Sequence, residues 1–310
     1  MPPLPSPAAC AVLQSAFRTP HSMRLRVLHR TSYVYGEPVR ESFNEARLQP
    51  VTADGQVCHH FLLKILPSTR LTHYLDFHLN YVHLFEITEP HTRLEVEATS
   101  VVTTGNGHRL AEDLVTTPLA EMEACSRLER CYDFMQSSHF VDISAEAWRF
   151  GLDATVGITD AWQAAQAVLR AIHRGFTYTP AATHVHTHMR DVLRDRRGVC
   201  QDFAHVMLGV CRSLKIPARY VSGYLYNGPE DQLRGAQASH AWVEVYLPGH
   251  GWRALDPTNG SQPDERYIKI AVGRDYSDVS PLKGTYRGTG ERKLTVEVLV
   301  TDLDPVPVAG

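Results

Sequence analysis

Between Arg197 and Ala204 the chain reads RGVCQDFA, a glycine turn that runs into an amphipathic helix with Cys200 at its first position. Phe203, Met207, Val210 and Leu214 follow at steps of four, three and four, the spacing of a buried helical stripe. Pro217 ends the segment. The chain is thus committed to a helix packed in a core, with a thiol at the end where the macrodipole is positive and a thiolate is favoured. The plain alternative is a buried structural cysteine that continues the stripe.

Upstream the pattern is that of strands: Leu25 to His29, Phe61 to Leu66, Tyr81 to Ile87 and Arg93 to Thr103. Gly36, Pro38, Asp54-Gly55, Pro67 and Pro90 separate them, and Gly105-Asn106-Gly107 breaks the series. A helix from Asp160 to Arg174 carries Trp162, Ala165, Leu169 and Ile172 on one face, capped by Asp160 and stopped at Gly175. Another spans Arg190 to Arg196. Strands are expected at Ala218–Tyr226, His240–Leu247, Trp252–Asp256 and Lys293–Val300. With 310 residues there is room for two domains. The reading is α+β: residues 1–22, rich in Pro, Ala and Ser, a disordered leader; 23–106 an antiparallel β domain; 107–300 a catalytic domain; 301–310 a tail.

The partners of Cys200 follow from strand geometry. In the segment from His240 to Leu247, Ala241, Val243, Val245 and Leu247 form an aliphatic face, so His240 points the other way, on the face of Trp242. A turn at Pro248-Gly249-His250 pairs Leu247 with Gly251, sets Trp242 opposite Asp256 and leaves His240 diagonal to Asp256. Diagonal neighbours lie roughly 7–8 Å apart at the backbone, within reach of these side chains. A slip of one residue would separate them. His205 is rotated about 140° from Cys200 on their shared helix and Asp202 about 160°, so neither faces the thiol. Asp202 reads as a first-turn carboxylate. Thiol, imidazole and carboxylate are the parts of a cysteine-nucleophile acyl-transfer site.

Composition narrows the partners. A content of 43% hydrophobic and 21% charged residues is that of a globular chain, and a net charge of −3 gives no ground for a nucleic-acid partner. No apolar run approaches the roughly 18 residues of a membrane span, so no membrane partner is expected. Six cysteines form no CxxC pair, which suits a reducing compartment and a cytoplasmic protein. Cys200 and Cys211 would be roughly 16 Å apart on one helix, too far for a disulfide. His184, His186 and His188 alternate and would share a face of an extended segment, but no Asp, Glu or Cys ligand joins them. Metal and cofactor are both expected to be none. Nucleophile-elbow and glycine-rich phosphate motifs are missing from the sequence.

The segments RRGVCQDFAH, CRSLKIPARYVSGYLY, SHAWVEVYLPGHGWRALDPTNG and AVGRDYSDVSPLKGTYRG together resemble the bacterial transglutaminase-like family. MRLRVLHRTSYVYGEPV and NEARLQP resemble the β-rich domain that precedes the core in that family. The resemblance implies a papain-like transglutaminase fold and a triad of Cys200, His240 and Asp256 acting on a carboxamide or peptide carbonyl. It implies an oxyanion donor upstream, where Tyr178 stands in place of the tryptophan of animal members. Calcium activation is not carried over, because no acidic loop is present. Trp242, Asp275 and Tyr276 are expected to line the cleft. The expected partner is a protein or peptide substrate, and the expected reaction is hydrolysis, with transamidation or a non-catalytic scaffold as alternatives.

Overall fold

A single strand organises the N-terminal half. The sheet there is built from β1 (Ser22–Ala46), β2 (Val57–Leu66), β3 (Leu71–Leu75), β4 (Tyr81–Ile87) and β5 (His91–Gly105), in the order β2-β5-β1-β4-β3. The computed structural model describes residues 22–105, 109–180, 187–228 and 239–305. Along the first half of β1, Leu25, Val27, His29 and Thr31 alternate inward while Arg24 and Arg26 face solvent. That half pairs with β5, and past Val34 the register shifts until the second half pairs with β4.

The second domain surrounds the cysteine helix. α1 (Ala145–Ala154) is capped by Ser144, and α2 (Ala161–Gly175) by Asp160, whose Oδ1 accepts from the N–H groups of Trp162 and Gln163. β6 (Thr177–Tyr178) and β7 (Arg197–Gly198) form a short parallel pair on either side of α3 (Met189–Asp195) in the sequence. α4 (Cys200–Ser213) is buried from Asp202 to its end. It packs on α1, α2 and α3, and on β8 (Ala218–Leu225) and β9 (Ser239–Leu247). β10 (Gly251–Leu255) and β11 (Tyr267–Gly273) complete an antiparallel sheet, β10-β9-β8-β11, followed by the short α5 (Tyr276–Val279). Both faces of β9 are covered: Trp242, Glu244 and Tyr246 are buried as well as the aliphatic set. Glu244 is held at 2.6 Å by Arg219 and 2.5 Å by Lys269. Burial opposes its charge, yet the two cations hold its carboxyl down at about 2. No described helix is long and apolar enough to cross a membrane.

The domain boundary differs from the expected one. β12 (Leu282–Arg287) pairs with the second half of β1, and β13 (Arg292–Asp302) pairs with the first half from Leu25 to Tyr35. The segment 282–302 therefore belongs to the N-terminal sheet, and Thr301 and Asp302 are strand rather than tail. Alternation reveals a strand but not its partner, and a strand as long as β1 leaves a side to be filled. The domains meet again at β11, an edge strand of the second sheet. Gln56 donates to the Lys269 carbonyl and accepts from its N–H, both at 2.8 Å. Asn80 does the same at Val272, again at 2.8 Å each way.

Candidate active site

The cysteine is presented by a turn in which glycine serves close approach. Gly198 does not adopt a left-handed φ. A Cβ there would stand 2.6 Å from Asp202 Oδ2, so the bare backbone lets that carboxylate fold back and accept the Val199 N–H at 2.8 Å. This is one half of a capping box, since valine has no acceptor to return. Cys200 follows as the first helical residue, partly buried. First-turn N–H groups have no acceptor within their own helix.

His240 is fixed from behind. Gly223 lies opposite it in β8, and a Cβ at Gly223 would meet the Trp242 indole at 2.5 Å. The indole stacks on the imidazole with ring centroids 6.2 Å apart, and Tyr267 meets the indole edge-on at 5.4 Å. The hairpin register runs from Leu247 opposite Gly251 to Val243 opposite Leu255. Continuing it brings Asp256 level with Trp242, and Asp256 Oδ2 accepts from His240 Nε2 at 2.7 Å. The same oxygen accepts from Asn259 Nδ2 at 2.7 Å and from the Tyr267 hydroxyl at 2.8 Å. Oδ1 takes the N–H groups of Thr258 and Asn259 at 2.8 and 3.2 Å, as the carboxylate of an Asx turn does.

Burial alone would raise the Asp256 carboxyl, but the hydrogen bond and charge of His240, with Tyr267 and Asn259, hold it below the ordinary carboxylate range. Burial likewise opposes charge on His240, while hydrogen bonds and charges from Asp256 and Cys200 hold its pKa up at about 10. With Nε2 given to Asp256, Nδ1 remains for the thiol. A protonated imidazole beside the sulfur is the arrangement in which a cysteine acts as a nucleophile.

A cavity of about 250 Å³ opens beside Cys200 and His240. Tyr276 lines it, with Tyr220, Ser222 and Tyr224 of β8. Two residues expected in the cleft are elsewhere. Trp242 is 2% exposed and backs the imidazole instead of facing the cavity. Asp275 is fully buried: its Oδ1 caps α5 at Ser277 and its Oδ2 accepts the Phe140 N–H at 2.8 Å. Tyr178 is half exposed, edge-on to Phe203, and outside the cavity wall. Burial first, then the Cys200 charge, raises its hydroxyl. His205 is buried, stacked on Phe140 at 5.3 Å, with Nε2 accepting the Tyr276 N–H at 3.2 Å. His184 and His186 lie outside the described residues. His188 caps α3 through Nδ1, and its Nε2 is 3.7 Å from Asp142. Asn259, Tyr267 and Gly223 escaped the sequence reading. Only the PTNG turn after Asp256 signalled any of them, as a site where Asx chemistry supplies donors.

A papain-like helix carrying the thiol, packed on a sheet carrying imidazole and carboxylate, defines a transglutaminase-like protein. The transglutaminase-like superfamily model matches residues 150–257, which contain all three groups, and the model of the bacterial transglutaminase-like N-terminal region matches residues 25–103. An uncharacterized protein of Mycobacterium leprae is 38% identical over 283 residues, spanning 90% of this chain and 99% of its own. A Mycobacterium tuberculosis relative, also uncharacterized, is 32% identical across 93% of this chain and 94% of its own. The chain belongs to the bacterial transglutaminase-like family. A Cytophaga hutchinsonii protein solved as a candidate cysteine protease shares the fold, with a TM-score of 0.73 at 23% identity over 93% of each chain. The protein-glutamine gamma-glutamyltransferase of Pseudomonas aeruginosa is 37% identical over 132 residues, which are 37% of this chain and 19% of that one.

Proposed function

We propose that the protein is a cysteine-dependent acyl-transfer enzyme that hydrolyses an amide or peptide bond through a thioester on Cys200. The observation that carries this reading is the hydrogen-bonded line from Cys200 through His240 to an Asp256 carboxylate saturated with donors. The Cys200 thiolate attacks the carbonyl carbon, forming a C–S bond, and the Cys200 backbone N–H, in the first turn of α4 and without an acceptor in its own helix, is the donor this reading assigns to the oxyanion. The imidazolium of His240 gives its proton to the departing nitrogen as the C–N bond breaks. His240 then takes a proton from water as the oxygen attacks the thioester, and the C–S bond breaks to return the thiolate. Asp256 orients the ring and stabilises its charge throughout.

Hydrolysis is the simpler reading, because water as the acceptor needs no group beyond Cys200, His240 and Asp256. Transamidation is the second reading, supported by the name of the Pseudomonas relative. The test is a peptide library incubated with the protein, with and without a primary amine, and read by mass spectrometry. Chain cleavage or deamidation that Cys200→Ala abolishes supports hydrolysis; amine incorporation supports transamidation. Absence of all three at saturating peptide would leave a scaffold.

A further inference from the structure

The cavity beside Cys200 has walls from both domains, and the wall from the N-terminal sheet determines its chemistry. Thr31 and Tyr33 of β1 pair directly with Val296 and Leu294 of β13, so the four side chains share one face, turned towards Cys200. Tyr220, Ser222 and Tyr224 of β8 face them. At the base, His29 bonds the Tyr224 hydroxyl at 2.8 Å and the Thr31 hydroxyl at 3.1 Å, which ties the walls together and occupies those polar groups. Arg47, the cation at the rim, is matched by Glu45 at 2.9 Å and Asp76 at 3.4 Å. No acidic side chain among the described residues lines the space.

A volume of about 250 Å³ falls below the roughly 300–1,000 Å³ of sites that enclose a whole small-molecule ligand. It suits one large side chain with its adjoining backbone. An ammonium or carboxylate there would lose water without gaining a free partner. We propose that this cavity is the subsite for a large, uncharged, apolar side chain of the substrate, beside the amide that Cys200 attacks, with Leu294 and Val296 as its specificity-determining residues. The proposal rests on the acyl-transfer reading of Cys200, and it gives the N-terminal domain a role in substrate selection.

The test uses chloromethyl ketones that carry phenylalanine, glycine, lysine or glutamate next to the reactive carbon and are otherwise identical. The thiolate displaces chloride, forming C–S as C–Cl breaks, so the rate reports access to Cys200 without any turnover. Each rate is divided by the iodoacetamide rate at Cys200 on the same protein. The phenylalanine reagent is expected to lead the other three by about tenfold or more. Leu294 is 51% exposed, so Leu294→Glu leaves the fold intact, and it should reverse the order of the phenylalanine and lysine reagents. Equal rates across the panel, or an order unmoved by Leu294→Glu, would overturn the subsite while leaving the reactive thiol in place. If iodoacetamide passes over Cys200 in favour of Cys58, the acyl-transfer reading fails and the subsite fails with it.

Discussion

Asp256 accepts hydrogen bonds from His240, Thr258, Asn259 and Tyr267, and the donors differ in what they do. The backbone donors hold the carboxylate in place, whereas Tyr267 shares the oxygen that faces His240. Tyr267→Phe keeps the ring against Trp242 and removes one donor to a charged group, worth about 1.5 kcal/mol, so turnover should fall about tenfold. Asp256→Asn should cost far more, towards the 10⁴-fold seen when a serine-protease triad loses this group. Steady-state amide hydrolysis with circular dichroism checks both; a folded Tyr267→Phe at full activity would show the hydroxyl to be idle. The His240 ring also links stability to pH. Its folded pKa of about 10 lies above the ordinary 6.5, so its contribution is complete below pH 6.5 and is lost as pH rises through 10. The melting-temperature advantage of the wild type over His240→Gln should shrink across that window. Cys200 was legible in the sequence as the first residue of an amphipathic helix, and His240 and Asp256 because one odd-length turn fixes their register. Tyr267 was not, because it reaches Asp256 only through the pairing of β11 with β8.

Legibility was uneven among the elements for a similar reason. Amphipathic helices such as α2 and α4 carry a periodicity that survives any tertiary arrangement, and the β9–β10 hairpin carries its turn. In β11 the run YIKIAVG is buried nearly throughout, so it lacks the alternation that marks a half-exposed strand, and the sequence reading assigns no strand there. At the start of α4 the expected tight turn proved to be a close packing of Gly198 on Asp202. Gly198→Ala should therefore expel the Asp202 carboxylate from Val199, cost about 1 kcal/mol as lost caps do, and slow alkylation of Cys200. Gly175, at the end of α2, has nothing within 4 Å of its absent Cβ. Gly175→Ala should match or exceed the wild type by a few tenths of a kcal/mol. Urea titrations and iodoacetamide rates for the two variants check the contrast, and equal losses would remove the packing explanation for Gly198.

At the scale of the molecule, the two domains form one structure: β12 and β13 return to β1, and Gln56 and Asn80 cover the edge of β11. Burial pushes His29 down to about 4, and His205, also by burial first, down to about 3. Below the ordinary 6.5 the unfolded chain binds protons that these rings refuse, so stability should fall as pH drops from 6.5 through 4. His29→Gln should soften that fall in a melting series. The carboxamide clasps give a sharper test of unity. Asn80 is 1% exposed and matches both backbone groups of Val272. Asn80→Ala would leave a buried N–H and carbonyl unpaired, at about 1–3 kcal/mol for each group that water fails to reach. Because the clasp joins the two sheets, the loss should shift the whole molecule and not one part. Chemical denaturation of the full chain, followed by tryptophan fluorescence and far-ultraviolet circular dichroism, should show a single transition displaced to lower denaturant in Asn80→Ala. If the two signals separated in the wild type, the N-terminal sheet would be an independent unit; if Asn80→Ala left the midpoint unmoved, the clasp would contribute nothing to holding it against the transglutaminase-like domain.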